Sequence, residues 1–352
     1  MRKILTLSAL SICFTSIIEA QEPSTLKEVE KFKPSGTATG TVFFDYKYDL
    51  TKDVKQASAF EIDRAYLGYK YDFAKNISGK VLYDVGYDAG TRSYSAFLKY
   101  AMIDWAIMPK LKLSAGVIGL RQFDTQEKFW GYRYIMKSYV DQYGLGTSAD
   151  LGFNIELTLH EKITINAFVL NGEGYKSLQD MYGMHRFGGN IVAKPLKGLV
   201  AKVHYDIMPN KYQQADNLPI IDTSTISNLS LFVGYELKDK FRIGIEYNEL
   251  NNAKNYKNFA DGYKLGGISV YGTYIINNQF EVLARFDKLG SNKIGNAAEV
   301  WNISKDGSLI LAGVHYKPVK NVNVGLNYRN FSYDDKTIDS FSALFINLGL
   351  AF

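Results

Sequence analysis

The chain has 352 residues, 14 % of them aromatic (26 Tyr, 21 Phe, 3 Trp), with 30 Gly against 7 Pro and a formal net charge of +5. Its hydrophobic (46 %) and charged (22 %) fractions are near globular averages, which excludes intrinsic disorder and collagen-like repeats. The mean hydropathy of −0.16, and the absence of a long apolar run beyond the first residues, exclude a polytopic helical membrane protein; the tyrosine surplus favours strands and membrane interfaces.

In chain order, Arg2 and Lys3 precede the uncharged stretch Ile4–Ile18, and Ala20 supplies a small residue at the cut. This predicts a signal peptide over residues 1–20. Its removal takes away Arg2, Lys3 and Glu19, lowering the formal charge from +5 to +4, and also removes Cys13, the only cysteine. Residues 21–36 then form a short polar segment, expected in the periplasm. From 37 to 352, segments of about ten residues alternate apolar with polar or small side chains, the period of a strand with two unlike faces. In the second segment Ala65, Leu67, Tyr69, Tyr71 and Phe73 share one face, and Arg64, Tyr66, Gly68 and Lys70 the other. Later ones behave alike: Leu229, Leu231, Val233 and Tyr235 oppose Ser230, Gly234 and Glu236.

The connections carry a second signal. Every other one is tight, as at Ala74–Ser78, Met108–Lys110, His160–Lys162, Pro195–Gly198, Lys238–Lys240, Asn277–Gln279 and Lys317–Asn321. The alternate ones are longer and polar: Asp49–Ser58, Asn171–Met184, Pro209–Ile226, Glu249–Gly262, Lys288–Gly307 and Ser332–Asp339. Short turns at one end and long loops at the other are the asymmetry of a transmembrane β-barrel. In lipid every backbone group must be paired internally, so a β protein spans only as a closed barrel. The expected fold is therefore all-β, a transmembrane antiparallel barrel of about 16 strands, with about 18 as the upper count, short periplasmic turns and long extracellular loops. Tyr48, Tyr71, Tyr87, Trp105, Tyr205, Tyr235, Tyr247 and Tyr316 recur at strand ends, where a barrel carries its interfacial girdles.

The final strand reads Leu344, Ile346, Leu348, Leu350, Phe352 on one face and ends on the chain's last aromatic. In this the sequence resembles Gram-negative outer-membrane porins, whose terminal Phe is read by the barrel-assembly machinery. The segment Phe60–Tyr71 is also similar to an early strand of the phosphate-selective porin O and P family. The resemblance implies an outer-membrane location after Sec-dependent export, a lipid-bilayer surround, homotrimer formation and an inward-folding loop after the fifth strand. The phosphate-selective family also implies a dense basic ladder, from which this sequence departs by interleaving acids with its bases.

The connection over 120–149 is about thirty residues long and follows the fifth strand. It carries Arg121, Lys128, Arg133 and Lys137 against Asp124, Glu127 and Asp141, interleaved with Phe123, Phe129, Trp130, Tyr132, Tyr134 and Tyr139. It is expected to fold inward, its aromatics anchored to the wall and its charges setting the local field of a constriction. By strand parity Arg64, Lys70, Lys80, Arg186, Lys194, Lys202, Arg242, Arg285 and Arg329 point inward, as do Asp84, Glu156, Asp206, Glu236, Glu246, Glu281 and Asp287. A mixed lumen with a modest cationic excess predicts weak anion preference.

His160 falls in a tight turn, His185 and His204 near opposite strand ends, and His315 in a late strand; none has a Ser or carboxylate at a spacing that activates a nucleophile. No His-Glu-x-x-His, cysteine pair or phosphate-cradling glycine loop occurs. Neither an enzyme nor a cofactor, metal or nucleic-acid partner is expected. The function expected is a passive, water-filled diffusion channel for small hydrophilic solutes and ions. A substrate-specific channel for phosphate or oligosaccharides, and an adhesin or receptor using the long loops, stand as alternatives.

Overall fold

The computed structural model describes residues 32–54, 57–88, 90–179, 183–209, 225–252, 264–292 and 305–352. The expected signal peptide and nearly all of the polar segment 21–36 lie outside them. The unit Pro34–Phe352 is a closed barrel of sixteen antiparallel strands in which every strand pairs with its sequence neighbours and the first pairs with the last. The first half comprises β1 (Ser35–Asp49), β2 (Ser58–Ala74), β3 (Ile77–Asp88), β4 (Ser93–Met108), β5 (Leu111–Gly119), β6 (Ala149–His160), β7 (Ile163–Leu170) and β8 (Arg186–Ala193). The second comprises β9 (Leu199–Pro209), β10 (Thr225–Leu237), β11 (Phe241–Asn251), β12 (Leu265–Ile275), β13 (Phe280–Ser291), β14 (Gly307–Val319), β15 (Val322–Tyr333) and β16 (Phe341–Ala351). The turns and loops fall at alternate ends as the sequence indicates, except that β3 and β4 are joined briefly, Asp88 to Ser93, at the long-loop end.

Alternation decides which face is which. Along β9 Val203, Tyr205 and Ile207 are exposed on the outside, whereas Lys202, His204 and Asp206 are buried on the inside. Apolar residues outward and polar ones inward invert the soluble pattern, which suits a hydrocarbon surround and a wet interior. The seam is closed by the chain's end: Gly40 N donates to Phe352 O at 2.8 Å, and Phe352 N to Gly40 O at 3.0 Å. A Cβ on Gly40 would stand 2.2 Å from the Phe352 ring, so any larger residue there displaces that ring.

Between β5 and β6 the chain forms two short helices, α1 (Arg121–Trp130) and α2 (Tyr139–Gln142). In α1, Phe123, Gln126 and Trp130 recur at a spacing of three and four, giving one buried face. Asp124 in its first turn and Lys128 in its last complement the helix dipole. Gly131 ends it in the left-handed region (φ 77°), its N–H donating to Glu127 O at 3.0 Å.

The infolded segment and the charged passage

The segment between β5 and β6 packs inside the barrel. Trp130, Tyr132, Tyr134, Ile135 and Met136 form one apolar cluster with Phe232, Tyr271, Leu283, Leu309 and Leu311 of β10 to β14 and Phe43 of β1. Phe123, Tyr139, Val140 and Leu145 form a second with Ile118, Phe168, Leu170, Leu265 and Leu289. These aromatics bury area worth roughly 1.5–3 kcal/mol each for a fully covered large side chain. The segment therefore crosses the interior from β5 to the far wall.

Polar bonds fix its height. Lys202 of β9 sends Nζ to Arg121 O (2.5 Å), Gln122 O (2.5 Å) and Gln126 Oε1 (2.7 Å). Gln126 Nε2 donates to Ser230 Oγ at 3.0 Å, and Asn228 Nδ2 to Leu145 O at 2.6 Å. Arg242 donates to Trp130 O at 3.3 Å with its guanidinium over the Tyr132 ring. Arg285 donates to Lys137 O at 2.6 Å and is held by Asp287 at 2.7 and 2.8 Å. Arg329 donates to Ile135 O at 2.7 Å and lies 3.7 Å over the Phe345 ring. Tyr132 donates to Glu281, and Tyr134 Oη lies 2.7 Å from His315 Nδ1. Backbone carbonyls inside a barrel need donors, and the inward cations of β9, β11, β13 and β15 supply them. Of the inward-pointing Lys202, Arg285, Glu246 and Arg329, the first three are buried, and Arg329 is half-buried. Glu246 accepts from Asn248 Nδ2 at 3.1 Å.

The polar face of α1 points the other way. One cavity of about 380 Å³ lies between it and the wall of β3 to β5, lined by Lys80, Lys99, Asp104 and Lys112 opposite Arg121, Asp124, Glu127, Lys128 and Asp141. A second, of about 530 Å³, lies towards the short-turn end and is lined by Phe129, Glu156, Lys194, Glu236 and Arg242. Arg121, Asp124 and Lys128 line both, so they stand between the two spaces. Arg121 is held by Asp124 (2.9 Å) and Glu156 (3.0 Å), and Lys128 projects freely with Asp124 3.9 Å away.

Arg133 sits at the centre of an acidic group, 3.3 Å from Asp63, 3.5 Å from Asp141 and 3.9 Å from Glu127. Burial pushes the Glu127 carboxyl above its ordinary range, and the Arg133 guanidinium opposes that rise. On the facing wall Lys80 rests 5.0 Å over the Tyr100 ring, and Lys112 is 3.9 Å from Asp104. Arg64 and Asp84 pair at 3.2 Å nearer the long loops, while Lys70 pairs with Asp72 at 2.8 Å at the opposite end. Cations thus dominate the β3 to β5 wall, whereas the opposing α1 face is mixed, Arg121 and Lys128 against Asp124 and Glu127. Lys99, which is central to this arrangement, escapes strand parity because a register shift at Leu82/Tyr83 places it as an extra residue.

The histidines also differ from expectation. His204 lies in mid-strand, its Nε2 2.7 Å from Asp206 Oδ2 and its Nδ1 2.8 Å from Asn190 Oδ1. A carboxylate neighbour is therefore present, two residues on along one strand face. It belongs to a buried polar ladder running through Asn154, Asn166, Asn190 and His204 to Asp206 and Arg186, with no serine in it.

A closed sixteen-stranded barrel crossed by an infolded segment after its fifth strand is a porin-like fold. No family model and no curated protein matches the sequence. Solved structures match closely in shape. OmpF of Salmonella typhi, in complex with daunomycin, superposes with a TM-score of 0.66 at 13 % identity, covering 90 % of this chain and 97 % of that one. OprB of Pseudomonas putida gives 0.65 at 10 % identity, over 90 % and 94 %. The loop L8 deletion mutant of OmpT, an outer membrane protein of Vibrio cholerae, gives 0.64 at 14 % identity, over 91 % and 99 %.

Proposed function

We propose that this chain is an outer-membrane porin of a Gram-negative bacterium, a passive water-filled channel for small hydrophilic solutes and ions with weak anion preference. The observation that carries the reading is the pair of charged cavities, both lined by Arg121, Asp124 and Lys128, inside a barrel whose outer face is apolar. An apolar exterior supports a lipid surround, in which the short turns face the periplasm and the long loops the outside on this reading. A solute entering from the loops passes between the lysines of β3 to β5 and the mixed charges of α1, so its path carries a modest cationic excess. Lys80 is backed by the Tyr100 ring, and Lys99 by the Tyr66 ring with Asp84 3.9 Å away, which leaves cationic charge available to anions. Interleaved acids argue for weak preference over phosphate specificity. The signal peptide directs export, Phe352 is read by the assembly machinery, and three copies associate, as in the trimer form of OmpT from Vibrio cholerae. No catalytic step is required of any residue.

The test is liposome swelling with sugars of increasing size, combined with reversal potentials in a salt gradient. Small sugars should enter, entry should fall with size, and the potential should report a slight excess of anion flux. Cation selectivity contradicts the assignment of the wall, and sealed liposomes contradict the channel.

A further inference from the structure

A second segment also folds inward. Asn171 N donates to Leu151 O at 2.9 Å, Gly172 N to Asp150 Oδ2 at 2.7 Å and Tyr175 N to Ala149 O at 3.0 Å, so the chain after β7 continues along the start of β6. Its close approach to the wall needs Gly172 (φ 113°) and Gly174 (φ 84°), where a Cβ would stand 2.4 Å from Met208 and 2.8 Å from Thr147. Tyr175 is thereby carried over the mouth to β3, where its hydroxyl donates to Asp84 Oδ2 at 2.5 Å.

Asp84 is shared among several groups. Its Oδ1 accepts from Arg64 at 3.2 Å, and its Oδ2 lies 3.9 Å from Lys99 Nζ. One carboxylate so divided leaves cationic charge over. Lys99 Nζ rests 4.9 Å from the Tyr66 ring centre and 5.7 Å from that of Tyr175. Lys176 Nζ rests 4.4 Å from the Phe97 ring centre and 5.8 Å from that of Tyr175. The Tyr175 ring therefore lies near both ammonium groups. Partial desolvation, with repulsion from Arg64 and Lys137 opposed by Asp84 and Asp88, holds the largely exposed Lys176 ammonium below the usual lysine range. Among the described residues no carboxylate pairs with it. Excess cationic charge beside three aromatic faces is complementary to an anion with an apolar, planar body.

We propose that this mouth is a capture site for small organic carboxylates, in which Lys99 and Lys176 take the carboxylate and the rings of Tyr66, Phe97 and Tyr175 take the body. Tyr175 acts as a positioning residue: its bond to Asp84 holds the strap and Lys176 in place. The site rests on the channel reading for its purpose, since it would concentrate such anions above the passage.

Sodium benzoate is the probe, with sodium acetate as the charge-matched control lacking a ring. In titration calorimetry on the detergent-folded protein, benzoate should bind and acetate should bind more weakly. In a bilayer, benzoate added on the loop side should interrupt the potassium chloride current in a concentration-dependent way. Lys176→Ala, at an exposed position, should raise the half-blocking concentration about tenfold, the loss of one charge-assisted contact. Lys99→Met should act in the same direction, and Tyr175→Phe should weaken block while keeping the ring. Equal binding of benzoate and acetate, or block unchanged in both lysine variants, overturns the site. Calorimetric binding without any chloride current retains the site and overturns the channel reading instead.

Discussion

Replacing Lys202 with Met removes one ammonium and leaves a stem of similar length under α1. The wild-type ammonium makes three bonds, at 2.5, 2.5 and 2.7 Å, to Arg121 O, Gln122 O and Gln126 Oε1. Bonds to a charged group contribute about 1.5–3 kcal/mol each, while burying the ammonium costs several kcal/mol. The helical carbonyls retain partners along their own helix. The balance is a loss of about 3 kcal/mol in docking of the segment, or roughly a hundredfold in the docked-to-undocked ratio. Hydrogen exchange read by mass spectrometry on the detergent-folded protein measures this directly. Amides of residues 121–149 should exchange roughly a hundredfold faster in Lys202→Met, while those of β9 and its neighbours hold. Equal exchange across the segment in variant and wild type would refute the view that Lys202 is its principal polar anchor.

Three further outcomes are expected. Desolvation of the half-buried Glu127 carboxyl raises its protonation above the ordinary glutamate range. Lowering the pH through that range removes one negative charge from the α1 face, so anion preference should rise on acidification; Glu127→Gln should show the raised preference throughout, and a pH profile parallel to wild type contradicts this. Arg121→Glu should shift reversal potentials towards cations, since Arg121 lines both cavities; adding Arg133→Glu sets a fourth carboxylate beside Asp63, Glu127 and Asp141 and should also loosen the segment, read as faster exchange there. Deleting Phe352 removes both backbone bonds to Gly40 at the seam and should lower the yield of folded barrel in cells, measured by gel mobility without heating; an unchanged yield argues against its role as an assembly signal.

The barrel was readable because a two-faced strand must alternate, and because turns and loops fall at opposite ends of an up-and-down sheet. The position of the infolded segment was readable from its length alone. Its helix was not: α1 has only three strongly spaced positions, Phe123, Gln126 and Trp130, among aromatics that suit a loop equally. Parity also states which face a side chain takes, not what covers it. Lys202, Arg285 and Arg329 are inward by parity, yet their carbonyl partners lie about 80 to 190 residues away in sequence and emerge only when the segment docks. Lys99 was hidden by the bulge in β4, which shifts parity by one. The strap carrying Tyr175 left only two glycines as a trace. His204 and Asp206, two apart on one strand, were within reach of the same period-two reasoning that located the strands.

The most direct test is a planar-bilayer recording of the purified, folded protein in potassium chloride. The account predicts discrete, stable conductance steps on insertion, sized by a passage past Arg121, Asp124 and Lys128, which line both cavities. Folded protein that inserts and carries no current would contradict it.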